Sequence, residues 1–210
     1  MSTIRNPQDA AADSVRLAAN DANAPRSGSP LNLPNIITLS RLALSVVLFW
    51  MIDRGTMWVA SAVVFLVAAA TDALDGFIAR RYGMVTKLGR ILDPFVDKVI
   101  VCGAFIFLLA KPNSGVTSWM AITVIGREMF VTSLRSFLEQ EGKDFSASWS
   151  GKIKMVLQCV AVLASLLSLS PEYAEQLATP RDVMLWLAVA VTLYSGYVYI
   201  VRAISLFRQQ

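Results

Sequence analysis

The chain has 210 residues, of which 55% are apolar and only 16% charged, with a mean hydropathy of +0.54. A soluble domain carries about a quarter charged residues; here the charge is gathered into a few places with long uncharged runs between them, as in a polytopic membrane protein. The formal charge of +4 is too mild to indicate a nucleic-acid partner, and the complete absence of histidine removes the usual Zn, Cu and Fe ligand, leaving hard, oxygen-bound cations.

Residues 1–30 are polar, rich in Ala, Asn, Asp, Ser and Pro, and lack the apolar stretch of a signal peptide. They are expected to form a mobile cytosolic tail. The rest of the chain, 31–210, reads as one all-α domain with six transmembrane helices. Leu31 to Asn35 leads into the membrane as a short interfacial helix. The hydropathy criterion of roughly 17–25 residues per span then gives spans over about Ile36–Ile52, Met57–Ala79, Gly89–Ala110, Thr117–Phe137, Lys152–Ser170 and Val183–Leu206. The turn at Asp53-Arg54-Gly55, the basic loop Arg80–Lys87, the stretch Lys111–Gly115, the polar loop Glu139–Ser150 and the loop Pro171–Asp182 separate them. Cys102 and Cys159 both fall in apolar runs and read as small core side chains.

Basic residues set the orientation. Arg80, Arg81, Lys87, Arg90, Lys143, Lys152, Lys154 and Arg208 gather on one side, against Arg54, Lys111 and Arg181 on the other. The positive-inside bias places both termini and the 80–90 loop in the cytosol. Trp58, Trp119 and Trp186 lie near the opposite ends of their spans, where aromatic belts occur.

The chemistry is concentrated where span 2 ends and span 3 begins. Asp72 and Asp75 are spaced i, i+3 on a helix, with Ala79 on the same stripe; Asp93 and Asp97 are spaced i, i+4, with Gly89 a turn earlier. A short basic loop joins the two helices, so they are expected to be antiparallel neighbours whose carboxylates meet at the cytoplasmic rim. An ionised aspartate at membrane depth costs about 2.5–3.5 kcal/mol, and four together add mutual repulsion. Two divalent cations would neutralise them, and oxygen-only ligation favours Mg2+ or Mn2+. Such ions, about 3.5–4 Å apart, clamp in-line displacement at phosphorus. Gly76 and Gly89 would let a nucleotide diphosphate approach the backbone, and Arg80 sits where it can neutralise a phosphate. A cation-coupled transporter would explain the carboxylates but not the glycines, the arginine or the crowding at one rim. A non-catalytic lipid-binding scaffold is the third alternative.

The pattern D-x2-D-G-x2-A-R-x8-G-x3-D-x3-D, complete here from Asp72 to Asp97, resembles the signature of the CDP-alcohol phosphatidyltransferase family, and the expected topology extends the likeness over about residues 31–206. The resemblance implies that Asp72, Asp75, Asp93 and Asp97 ligate the metals and that Asp97 is also the general base. It implies that Gly76, Ala79, Arg80 and Gly89 line the CDP pocket beside Asp72 and Asp75, and that the acceptor alcohol attacks directly. A homodimer is a further implication. The tail shows no organelle-targeting pattern, so the bacterial cytoplasmic (inner) membrane is expected, and the loop charges place the active site on its cytosolic side.

Three other segments are similar to the phosphatidylglycerophosphate synthase branch of that family: Leu33-Pro34-Asn35 with Thr38 and Arg41, Gly126-Arg127-Glu128 with Arg135, and Ser150-Gly151-Lys152 with Lys154 and Gln158. Asn35 and Thr38 are candidates for the CDP-lipid side of the site, or, with Arg41, for capping or anchoring the first helix. Arg127, Arg135, Lys152 and Lys154 are candidates for an acceptor phosphate, because cations inside a bundle take anionic partners; pairing with Glu128 or Glu139 is the alternative for the two arginines. The expected substrates are CDP-diacylglycerol and glycerol 3-phosphate, with phosphatidylglycerol, serine, inositol and inositol phosphate as alternative acceptors.

Overall fold

The computed structural model describes residues 33–82, 87–141 and 149–207, and within them the side chains of 38–71, 95–141, 149 and 151–206. Residues 1–30, expected as a mobile tail, lie outside the described residues.

Six helices and no strand make up the described chain: α1 (Leu33–Arg54), α2 (Trp58–Tyr82), α3 (Lys87–Leu109), α4 (Ser118–Gln140), α5 (Trp149–Ser168) and α6 (Ala174–Phe207). Five of them match the expected spans to within a few residues. α1 is continuous from Leu33, so Leu33–Asn35, read as part of an interfacial helix, belong to the first turn of the same helix; Leu31 and Asn32 lie outside the described residues. The turns use left-handed backbone where glycine or asparagine supplies it cheaply: Gly55 (φ 69°) between α1 and α2, and Asn113 (φ 64°) and Gly115 (φ 76°) between α3 and α4. Thr117 then caps α4, its side chain accepting from the Met120 amide.

The sixth helix departs from expectation. Pro171–Asp182 reads as a loop, yet α6 begins at Ala174 and carries Pro180 within it. Proline inside a helix removes one backbone hydrogen bond. Tertiary anchoring offsets that loss: Arg181 donates to the Asn113 carbonyl at 2.6 Å and lies 3.4 Å from Ser168 Oγ.

α1 and α3 run parallel, paired at offsets of 56 to 58 positions. Arg41 meets Asp97 at 2.6 Å, 56 positions on. The Phe49 and Phe107 rings stack at 5.0 Å. Lys111 Nζ donates to the Asp53 carbonyl at 2.6 Å, 58 positions apart. Gly103 makes the approach possible, because a Cβ there would lie 2.1 Å from Cζ of the Phe49 ring. α1 also packs on α2; α5 packs on α2, α3 and α6, and α4 on α3 and α6. The shared core holds Leu48, Ile52, Phe65, Phe105, Leu108, Leu166 and Leu185, all with no exposed surface.

The outer surface is apolar. Val46, Val47 and Trp50 of α1, Val63, Leu66 and Val67 of α2, Ile122, Met129 and Phe130 of α4, and Leu193, Tyr194, Tyr197 and Val201 of α6 are all exposed. Arg41, Ser45, Glu128, Lys154 and Gln158 are buried instead. This polar-inside, apolar-outside arrangement suits a lipid surround. Among the described residues, two stretches are long and apolar enough to cross a bilayer, Gly151–Ser168 and Ala174–Leu206, while Trp58–Thr71 is apolar over a shorter length. α4 owes its lower hydropathy to the inward-facing Arg127, Glu128 and Arg135.

Candidate active site

The chain is helical through 72–82 at the end of α2 and through 87–97 at the start of α3. The Asp72/Asp75 and Asp93/Asp97 spacings therefore each keep to one helix face. At about 1.5 Å per residue, Asp72 lies about 15 Å before the end of α2 and Asp97 about 15 Å after the start of α3. The side chains of Asn35, Asp72, Asp75, Gly76, Ala79, Arg80, Gly89 and Asp93, all expected in the metal or CDP-lipid site, lie outside the described residues. Asp97 and Thr38 are described, Thr38 buried on α1.

Asp97 is held from α1. Arg41 Nη1 donates to its Oδ1 at 2.6 Å, with the Arg41 side chain only 3% exposed. The sequence offered Arg41 as a cap or anchor for the first helix. It instead crosses to the residue expected to act as base and metal ligand. A charge inside an otherwise apolar span was the available signal, since such a charge needs a partner.

A second polar group lies between α4, α5 and α6. Glu128 Oε1 accepts from Arg127 Nη1 at 3.2 Å and from Lys154 Nζ. Arg127 Nη2 donates to Ser195 Oγ at 2.6 Å, and Arg135 Nη2 donates to the Tyr199 hydroxyl at 3.1 Å. Both guanidiniums also lie over the Tyr199 ring, 5.3 and 5.9 Å from its centroid. Below them Gln158 donates to Thr192 at 2.9 Å. Cys102, on α3 a little more than one turn beyond Asp97, lies within electrostatic reach of Glu128, Lys154 and Lys98, so this group faces the helix that carries the aspartates.

The structure thus brings together Arg127, Arg135 and Lys154 of the four expected acceptor-site cations. Lys152 is exposed, with its ammonium 5.2 Å from the centre of the Trp149 ring. The alternative pairing of Arg127 with Glu128 is real, but among the described residues no carboxylate reaches Arg135, and Glu139 is exposed. Among the described residues, therefore, Glu128 serves Arg127 and Lys154, and Arg135 has no acid. The Nε atoms of Arg127 and Arg135 are buried without a hydrogen-bond partner among the described residues, a cost that proteins seldom leave unmet. The positioning residues Ser195 and Tyr199 were not legible beforehand. Their i, i+4 spacing on α6 puts both on one face, but nothing distinguishes that face in a helix apolar nearly all round.

Among the described residues no group of three or more Asp, Glu, Cys or His side chains is gathered as a metal site; three of the four expected ligands lie outside them. The donor set itself is carboxylate throughout, in a chain with no histidine, which fits a hard divalent ion and not a soft one.

The family model described as CDP-alcohol phosphatidyltransferase matches residues 31–194. Among curated relatives, a CDP-diacylglycerol–glycerol-3-phosphate 3-phosphatidyltransferase of Bacillus subtilis is 38% identical over 183 residues, covering 80% of this chain and 93% of the relative. Proteins of the same name from Rickettsia bellii (34% over 170 residues, covering 80% of this chain and 93% of the relative) and Yersinia pestis (35% over 179 residues, covering 83% and 96%) are similar along nearly their whole lengths. Taken with the helical bundle, its apolar exterior and its buried charges, these matches show that the chain is a membrane-bound enzyme belonging to the CDP-alcohol phosphatidyltransferase family.

Proposed function

We propose that this enzyme transfers the phosphatidyl group of CDP-diacylglycerol to glycerol 3-phosphate, giving phosphatidylglycerophosphate and CMP. The observation that carries the choice of acceptor is the charge of the α4–α5–α6 cluster. Among the described residues the cluster gathers three cations and one carboxylate: Glu128 pairs with Arg127 and Lys154, Arg135 has no acid, and the Nε atoms of both arginines have no hydrogen-bond partner. The excess of two positive charges matches a phosphomonoester dianion. Serine and inositol, which bring no phosphate, would leave it uncompensated. The names of the relatives support the same acceptor.

In this reading Asp72, Asp75, Asp93 and Asp97 would hold two divalent ions, Mg2+ or Mn2+. Ions bound there supply Lewis-acid polarisation of the phosphoryl oxygens and neutralise charge on the departing CMP. Gly76, Ala79 and Gly89 admit the nucleotide to the helix backbone, Arg80 pairs with a phosphate, and Asn35 and Thr38 line the nucleotide side. Arg127, Arg135 and Lys154 grip the acceptor phosphate, so that its hydroxyl is presented to the lipid phosphorus. Asp97, oriented by Arg41, takes the hydroxyl proton. The acceptor oxygen forms a bond to the phosphatidyl phosphorus while the bond from that phosphorus to the CMP oxygen breaks. Six transmembrane spans, a bacterial inner-membrane location with the site on the cytosolic side, and a homodimer complete the proposal.

Acceptor-dependent release of CMP from CDP-diacylglycerol by the purified protein tests it. Glycerol 3-phosphate is expected to support release. Release with phosphatidylglycerol, serine, inositol or inositol phosphate but not with glycerol 3-phosphate would refute the acceptor.

A further inference from the structure

The proposed reaction assigns no task to Glu128, the one buried acid of the cationic cluster among the described residues. Its Oε1 is shared by Arg127 and Lys154, two of the groups proposed to hold the acceptor phosphate. The side chains of Glu128, Arg127 and Lys154 are 11%, 10% and 6% exposed, so water does little to screen the pairing. Lys154 is buried and needs an anion whether or not substrate is bound. Glu128 is that anion in the free protein. Once a phosphate arrives, two anions draw on the same ammonium and the same guanidinium, and each weakens the other's hold.

The chemistry of the reaction makes this competition matter. The acceptor reacts through its hydroxyl, so its phosphomonoester is untouched and remains on the product. The product therefore carries the same dianion, and any cation set that grips the acceptor tightly also retains the product. We infer that Glu128 is a resident counter-anion that competes with the phosphomonoester for Arg127 and Lys154, weakening acceptor binding and hastening release of the phosphorylated lipid. This assignment rests on the proposed acceptor site and adds to it a residue that governs turnover.

The test uses the full-length enzyme in lipid nanodiscs, with inorganic phosphate as a competitor of glycerol 3-phosphate at fixed pH and ionic strength. Glu128→Gln is expected to lower the phosphate inhibition constant and the KM for glycerol 3-phosphate by about tenfold. It is also expected to lower kcat and to produce a burst of about one CMP per site before a slow steady state, with the KM for CDP-diacylglycerol unchanged. Glu128→Asp, which keeps the charge but withdraws it by one methylene, is expected to fall between parent and Glu128→Gln, and serves alone if Glu128→Gln does not fold. A phosphate inhibition constant equal to or above the parental one in whichever variant folds overturns the inference while leaving the proposed acceptor standing. A parent whose turnover neither needs glycerol 3-phosphate nor responds to phosphate overturns both.

Discussion

Two side chains carry the weight of the site at the scale of single residues. Arg41 reaches from α1 to Asp97 at 2.6 Å, and nearly all of it is buried. A charge-assisted bond of that kind fixes the carboxylate in place, and misplacement of a reacting group by about 1 Å can cost about a hundredfold in rate. Arg41→Ala is therefore expected to lower kcat about a hundredfold with little change in the KM for glycerol 3-phosphate, as read from steady-state CMP release. Asp97→Ala is expected to abolish turnover while CDP-diacylglycerol still binds, and measurable turnover in that variant would exclude Asp97 as the base. Lys152 and Lys154 make a second contrast. They stand two residues apart on α5, on opposite sides of it, one exposed over Trp149 and one buried against Glu128. Lys154→Met is expected to raise the KM for glycerol 3-phosphate at least about tenfold, in line with loss of a charge-assisted contact, while Lys152→Met changes it less than about threefold. Equal effects would place the phosphate elsewhere.

Element by element, the site depends on how closely α1 and α3 approach. Their parallel register runs from Arg41–Asp97 through Phe49–Phe107 to Asp53–Lys111, and Gly103 is where the backbone of α3 lies under the Phe49 ring. A methyl group at that point has nowhere to go without moving a stacked aromatic pair. Gly103→Ala is expected to destabilise the protein by about 1–3 kcal/mol, the usual range for overpacking, and to lower Tm in detergent by several degrees. A shifted α1 would also loosen Arg41 from Asp97, so activity should fall further than stability. Unchanged Tm and activity together would mean that the two helices tolerate a wider separation. α6 is the other element with a double duty. Its Arg181 end is tied to the α3–α4 turn, and its Ser195 and Tyr199, two to three turns before the other end, hold Arg127 and Arg135. At about 1.5 Å per residue its 34 residues span about 51 Å, more than the roughly 30 Å of a bilayer core.

For the whole molecule the arrangement is a bundle with charge inside and apolar surface outside. Lys111, Asn113 and Arg181 sit at the end remote from the aspartate helix ends. The orientation proposed here rests on this layout and the positive-inside bias. In a background with the half-buried Cys102 and Cys159 replaced, Asn113→Cys is expected to react with a membrane-impermeant maleimide from outside intact cells. Gln210→Cys is expected to react only in inverted vesicles. Labelling of both from one side would rule out the six-span topology proposed here.

The residues from Asp72 to Asp97, by type and spacing, pointed to the family that the comparisons show: acids at i, i+3 and i, i+4 with glycines and an arginine between them form a pattern that is local and legible in one dimension. Helix positions followed for the same reason, since apolar run length is a local property. What only the tertiary structure decided was the choice of partners. Arg41 finds Asp97 across 56 positions, Lys154 rather than Lys152 turns inward to Glu128, and Ser195 and Tyr199 receive the two arginines. The start of α6 at Ala174 was set in the same way, by contacts that outweigh a proline. Such pairings depend on which faces of distant helices meet, and the packing of six helices against one another sets that, not the order of residues along any one of them.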